Sequence, residues 1–219
     1  MKSNLLHICF VLDESGSMYN SVDDVIGGFQ KLIDEQKGEK NGECIISLYM
    51  FSDTVKKYYI GKPVNEVPRL TYSPGGCTAM NDGVGTAIDE IGKWLSDMDE
   101  SERPSKNMIV IMTDGKENAS REYNFDTVKA KIKHQEEKYS WTFVYMGTNL
   151  QDLKDANRLG IEMRSGSRNI IANYAHIDTY AKAVRNSTDA ASVATADRFL
   201  TKQLCEDTTR YQVENNITL

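Results

Sequence analysis

Unbroken apolar runs alternate along this chain with apolar residues spaced at helical intervals, and that alternation sets the first expectation about its fold. Ile8-Cys9-Phe10-Val11-Leu12 and Met108-Ile109-Val110-Ile111-Met112 carry no polar residue, as strands buried on both faces do. Residues 44–51 and 141–146 read as further strands, 161–164 as a last one, and 55–60 as an antiparallel neighbour at a sheet edge. Between them, Val22, Val25, Ile26, Phe29, Leu32 and Ile33 form one helical stripe. Ser21 stands at its N-cap position, with Asp23 and Asp24 in the first turn where the helix dipole favours them. Val84, Ala87, Ile88, Ile91 and Leu95 mark a second helix and residues 125–139 a third. Leu150, Leu153, Ala156 and Leu159 mark a short fourth helix stopped by Gly160. Pro63, Pro68 and Pro74 discourage helix over 61–74, and 97–106 reads as a loop. The tail from Ile177 to about Tyr211 reads as helical, broken near Ser187 to Asp189.

Strands alternating with helices, without repeat or long linker, predict one α/β domain over residues 1–219: a doubly wound, mostly parallel sheet flanked by helices with one antiparallel edge strand. Roughly 165–219 is then a C-terminal helical segment that packs on this domain, extends it or docks another subunit. A length of 219 residues is enough for a core that needs no staples. The net charge of -6 argues against nucleic acid as partner. No signal peptide stands in Met1 to Asn4 and no apolar run is long enough for a bilayer, so the expectation is a cytoplasmic chain, off the membrane, with reduced thiols. Cys9, Cys44, Cys77 and Cys205 agree with this, being widely spaced and forming no C-x-x-C pair.

Both central apolar runs stop on oxygen-bearing side chains. The first ends in Asp13, Ser15 and Ser17 at alternate positions around Gly16, the second in Thr113-Asp114-Gly115. A third polar turn, Gly75-Gly76-Cys77-Thr78, delivers Thr78 to the start of the second helix. In an open α/β sheet, ligands sit beyond the carboxyl ends of the strands. Carboxylates and hydroxyls without imidazole or thiolate suit a hard cation, Mg²⁺ before Ca²⁺ or Mn²⁺. Taken alone, Asp13, Ser15 and Ser17 read as a polar capping turn; Thr78 and Asp114 shift the reading to a metal site. DESGS also resembles the opening of an EF-hand loop, but Met18 and Asp24 stand where its glycine and last glutamate belong, and an apolar strand precedes it instead of a helix.

DESGS, GGCT and TDG, in that order, resemble the von Willebrand factor A (VWA) domain and its metal-ion-dependent adhesion site, over about residues 5–164. In compactness the chain looks like stand-alone VWA proteins of bacteria and their phages. The resemblance implies that Ser15, Ser17 and Thr78 coordinate the ion directly, and Asp13 and Asp114 directly or through water. Two carboxylates then balance the charge, while neutral hydroxyls leave the ion electrophilic enough to take a carboxylate from another molecule. Gly16, Gly75, Gly76 and Gly115 are expected to let backbone approach it.

The expected function is therefore a Mg²⁺-dependent protein-binding or adaptor module, not an enzyme, that captures an acidic side chain of a protein partner at Asp13, Ser15, Ser17, Thr78 and Asp114. Assembly with an ATPase, as some intracellular relatives do, and self-association are further expectations. The alternative is a metal-dependent phosphatase or hydrolase using Asp13 or a metal-bound water. A third reading is a degenerate scaffold with no ion. Haloacid-dehalogenase-like phosphatases place a second aspartate two residues on, where Ser15 stands here, and neither His7, His134 nor His176 stands out as a general base. Glu117 and Asn118 are expected on the exposed rim, to tune the site or to contact a partner. The tyrosines are assigned to packing, with a partner surface near the rim as the alternative for Tyr19 and Tyr72; Asp82 is expected at a helix start or behind the ligands.

Overall fold

The computed structural model describes residues 1–38, 42–114, 116–147, 150–161 and 170–173. Its sheet is laid out on either side of one strand, β1 (Lys2–Asp13), buried from Leu5 onward. β1 pairs in parallel with β2 (Glu43–Phe51) on one side and with β4 (Pro104–Met112) on the other. β3 (Val55–Pro63) closes one edge antiparallel to β2, while β5 (Thr142–Gly147) and β6 (Ile170–Asn173) continue in parallel beyond β4. The order is β3-β2-β1-β4-β5-β6.

The two-residue period of a strand sorts its apolar side chains into two cores. Leu6, Ile8, Phe10 and Leu12 face α1 (Val22–Gly38), packing with Phe29, Leu32 and Ile33. Cys9 and Val11 face the opposite layer, built by α2 (Met80–Asp97), α3 (Phe125–Tyr139) and α4 (Leu150–Arg158). A strand buried on both faces has no room for a polar alternate, which is why β1 and β4 read as continuous apolar runs. His7 is the exception within β1. It is buried, and Ser47 of β2 and Asn107 of β4 flank it at 2.8 and 3.2 Å.

α3 begins on a reciprocal cap, in which Asn124 accepts from the Thr127 amide and Thr127 Oγ1 accepts from the Asn124 amide. After α4, Gly160 takes a φ of +79°, a left-handed turn that ends the segment where the sequence reading placed its stop. β4 begins earlier than expected, because Ser105, Lys106 and Asn107 extend the ladder although none of them is apolar. The last strand differs too. Ile161 is in no strand, and the sixth strand is Ile170–Asn173; the expected strand residues 162–164 lie outside the described residues. The expected tail helices and His176 and Cys205 also lie outside them.

The chain leaves β1 toward β2 and β3, then crosses back to place β4 on the other side of β1. This reversal opens a crevice at the carboxyl ends of β1 and β4, the position where open α/β sheets bind ligands. Asp13 is the last residue of β1, and Asp114 comes two residues after β4. Among the described residues no helix is long and apolar enough to cross a membrane.

Candidate metal site

Asp13 lies fully buried at the floor of the crevice, with each carboxylate oxygen held by a different strand end. The Ser15 amide donates to Oδ1 at 2.7 Å, and the Thr113 hydroxyl donates to Oδ2 at 2.6 Å. The Tyr72 hydroxyl donates to the Asp13 carbonyl, so Tyr72 packs beneath the site, the first of the two places open to it. Burial pushes the Asp13 carboxyl up to about 6; the bonds from Ser15 and Thr113 oppose this, and the nearby Asp114 charge adds to it. A second carboxylate is thus close enough to be felt, in a place where two negative charges are costly without a cation.

Beyond Asp13 the chain turns through a 3-10 segment, Gly16–Ser21. Ser15 Oγ and Ser17 Oγ come within 3.0 Å of each other, Ser15 buried and Ser17 exposed. The loop bearing Thr78 is drawn against this one by two backbone bonds, Gly16 N–H to Gly76 C=O at 3.0 Å and Gly75 N–H to Glu14 C=O at 2.8 Å. Gly76 has a φ of +81°, which other residues rarely adopt, and a Cβ there would lie 2.1 Å from Asp53 Oδ2, so a side chain would strain the turn and displace Asp53. The close approach at Gly16 and Gly76 is therefore between two loops, a firmer reason for these glycines than approach to an ion. Gly115 lies outside the described residues.

Thr78, buried, is gripped from its other side by the loop after β4. Its amide donates to Asn118 Oδ1 at 2.9 Å, and its carbonyl accepts from the Asn118 and Ala119 amides. Glu117 accepts from the amides of Asn81, Ala119 and Ser120, and Asp82 accepts from the amides of Arg121, Glu122 and Tyr123. Glu117 and Asn118 thus staple this loop to the start of α2, Glu117 half-buried and Asn118 still exposed. Asp82 does more than favour the helix dipole, since it fixes the far end of the same loop. Tyr19, in the same 3-10 segment as Ser17, is 76% exposed.

Asp114 is held by the 3-10 segment. Its amide donates to Met18 Sδ at 3.3 Å, and Ser21 Oγ donates to Asp114 Oδ2 at 3.2 Å. Ser21 precedes α1 as expected, but its hydroxyl is turned to Asp114. Asp114 Oδ1 is buried with no hydrogen-bond partner. A buried carboxylate oxygen without a donor is costly, and a cation placed against it removes that cost. Among the described residues no three His, Cys, Asp or Glu side chains converge, so any ion here draws on hydroxyls as well as on Asp13 and Asp114. That donor set, hard and all oxygen, fits Mg²⁺ or a similar divalent ion and excludes a thiolate-type site. Cys77 stays outside it, exposed, with its thiol pushed up by a hydrogen bond to Asp53.

Sequence reasoning missed Thr113, Ser21, Met18 and Tyr72 as supports of Asp13 and Asp114. Thr113, beside Asp114, was the one recoverable from position, since a hydroxyl at the very end of a buried strand needs a partner.

Comparison with known proteins identifies the family and agrees with the fold. The family description "von Willebrand factor type A domain" matches residues 7–191. Proximal thread matrix protein 1 from the mussel byssus, solved with a zinc-occupied MIDAS motif, is 17% identical, with a TM-score of 0.55 over 84% of this chain and 45% of its own. The ArnB paralog VWA2 from Sulfolobus acidocaldarius is 15% identical, with a TM-score of 0.52 over 84% of this chain and 44% of its own. The PilB minor pilin from Streptococcus sanguinis is 13% identical, with a TM-score of 0.53 over 95% of this chain and 63% of its own. The chain thus spans less than half the length of the first two, and at these identities the likeness is one of fold. No curated protein matches. With the family model spanning β1, the Thr78 loop and β4 alike, the chain belongs to the von Willebrand factor type A domain family.

Proposed function

We propose that this protein is a non-catalytic binding module that holds Mg²⁺ at Asp13, Ser15, Ser17, Thr78 and Asp114 and uses the ion to capture an acidic side chain of a protein partner. The observation that carries this reading is the buried, unpartnered Oδ1 of Asp114 near the buried Asp13 carboxyl, both at the carboxyl ends of β1 and β4. The zinc in the mussel protein supports a divalent ion at a site of this architecture. Hydroxyl and carboxylate donors favour Mg²⁺ within that class, because it takes oxygen ligands and keeps water that an incoming carboxylate can replace. Of the enzyme alternative, the form that uses Asp13 as nucleophile finds less support, since both Asp13 oxygens are already engaged by Ser15 and Thr113. We place the protein in the cytoplasm, where Mg²⁺ is available and its thiols stay reduced.

The test is an affinity pull-down from source cells with the parent chain and Asp114→Ala as baits, in Mg²⁺ and in EDTA. A partner retained by the parent only in Mg²⁺, and lost from Asp114→Ala, is the expected result. A partner that stays bound in EDTA contradicts the metal-bridged mode, and Mg²⁺-dependent phosphatase turnover lost in Asp114→Ala would favour the enzyme.

A further inference from the structure

We infer that Ser21 sets the metal selectivity of this site by donating to one oxygen of Asp114, so that the carboxylate serves a cation through the other in preference. The inference rests on the metal-site reading above. The 3-10 segment Gly16–Ser21 grips Asp114 at two points: Met18 Sδ receives its amide, and the Ser21 hydroxyl donates to Oδ2 at 3.2 Å. Both gripping residues are buried, Met18 fully and Ser21 at 8% exposure. The opposite oxygen, Oδ1, is the buried one without a partner. The two oxygens of one carboxylate are therefore inequivalent by construction, one satisfied by the protein and one left for an ion.

That asymmetry discriminates between hard cations. Mg²⁺ demands six ligands in a near-ideal octahedron, which carboxylates enter through one oxygen. Ca²⁺ takes six to eight ligands and readily accepts a carboxylate through both oxygens. A hydroxyl on Oδ2 favours the first mode and opposes the second. Ser21 is a positioning residue on this account: it touches the ligand and not the ion. Without its hydroxyl, Asp114 is free to rotate or to offer both oxygens.

The experiment is calorimetric titration of Mg²⁺ and, separately, Ca²⁺ into the metal-free full chain, its Ser21→Ala variant and the hydroxyl-retaining Ser21→Thr. Circular dichroism in EDTA checks that each variant keeps the fold. Loss of an outer partner of a metal ligand weakens binding by about 10- to 100-fold. Ser21→Ala should lose Mg²⁺ affinity on that scale with a smaller loss for Ca²⁺, while Ser21→Thr keeps the parent's ratio. Equal changes for the two ions, or an unchanged ratio in Ser21→Ala, would overturn the role of Ser21 and leave the site itself standing. A parent chain that takes up neither ion would overturn the site and this inference together.

Discussion

The Thr113 hydroxyl donates to Asp13 Oδ2 across 2.6 Å, tying the ends of two adjacent parallel strands that lie 100 residues apart in the chain. This bond makes the floor of the site a property of the sheet, because β1 and β4 cannot shift in register without breaking it.

Replacing Thr113 by Val keeps the shape and deletes that donor. A buried carboxylate stripped of a partner is expected to cost about 1–3 kcal/mol. Urea unfolding in EDTA should show that loss, and Mg²⁺ titration should show weaker binding, since Asp13 is then harder to ionise. Unchanged stability in EDTA would show that the bond does not matter to the fold.

Proton competition should make metal binding pH-dependent. Asp13 sits at about 6 because of burial, so below that pH a cation must displace a proton. Mg²⁺ affinity should be level above about pH 7 and fall by roughly tenfold per unit below pH 6. Titrations in buffers of different ionisation heat should reveal a released proton at pH 5.5 and almost none at pH 7.5. In the metal-free chain the sign is the reverse of the usual carboxylate case. The folded state holds the proton more tightly than the unfolded one, so Asp13 adds stability as pH falls from above 6 toward 3.8.

His7 should act in the opposite direction. Burial lowers it to about 4 from 6.5, against a smaller opposing effect of its Asn107 bond, so the unfolded chain takes up the proton first. Stability contributed by neutral His7 is present above pH 6.5 and is lost as pH falls toward 4, at about 1.4 kcal/mol per unit in the steep part. The difference in unfolding free energy between the parent and His7→Gln, followed from pH 7.5 to 4.5, isolates this contribution. A difference that stays flat with pH would mean that His7 does not titrate as burial dictates.

Much of this architecture was legible because each element kept one period throughout. The apolar runs of β1 and β4 and the helical stripe of α1 have no competing pattern. The placement of Asp13 and Asp114 was legible because one ends β1 and the other follows β4 by two residues. What the pattern hid were contacts set by tertiary geometry. Ser21 fits an N-cap by position, yet its hydroxyl goes to a residue 93 positions away. Glu117 and Asp82 resemble solvated charges until the loop after β4 folds back and supplies their backbone donors. The early start of β4 was hidden for a similar reason, since Ser105, Lys106 and Asn107 are held by the ladder and not by burial.

Gly76→Ala tests the packing of the Thr78 loop. The added methyl meets Asp53 Oδ2, and the φ of +81° is one that alanine rarely adopts. A cost of about 1–3 kcal/mol is expected, together with weaker Mg²⁺ binding because Thr78 is displaced. Thermal unfolding with and without Mg²⁺ separates the two effects. A variant that binds Mg²⁺ like the parent would show that the position of Thr78 does not depend on this turn.

The central claim is that oxygens from three separate loops converge on one divalent ion. Anomalous diffraction from a Mn²⁺-soaked crystal of the full chain measures this directly. A single strong peak is expected at the mouth of the β1–β4 crevice, within bonding distance of the Ser15, Ser17 and Thr78 hydroxyls and facing Asp114 Oδ1. A crystal with no peak there, or with its peak on other residues, would contradict the account.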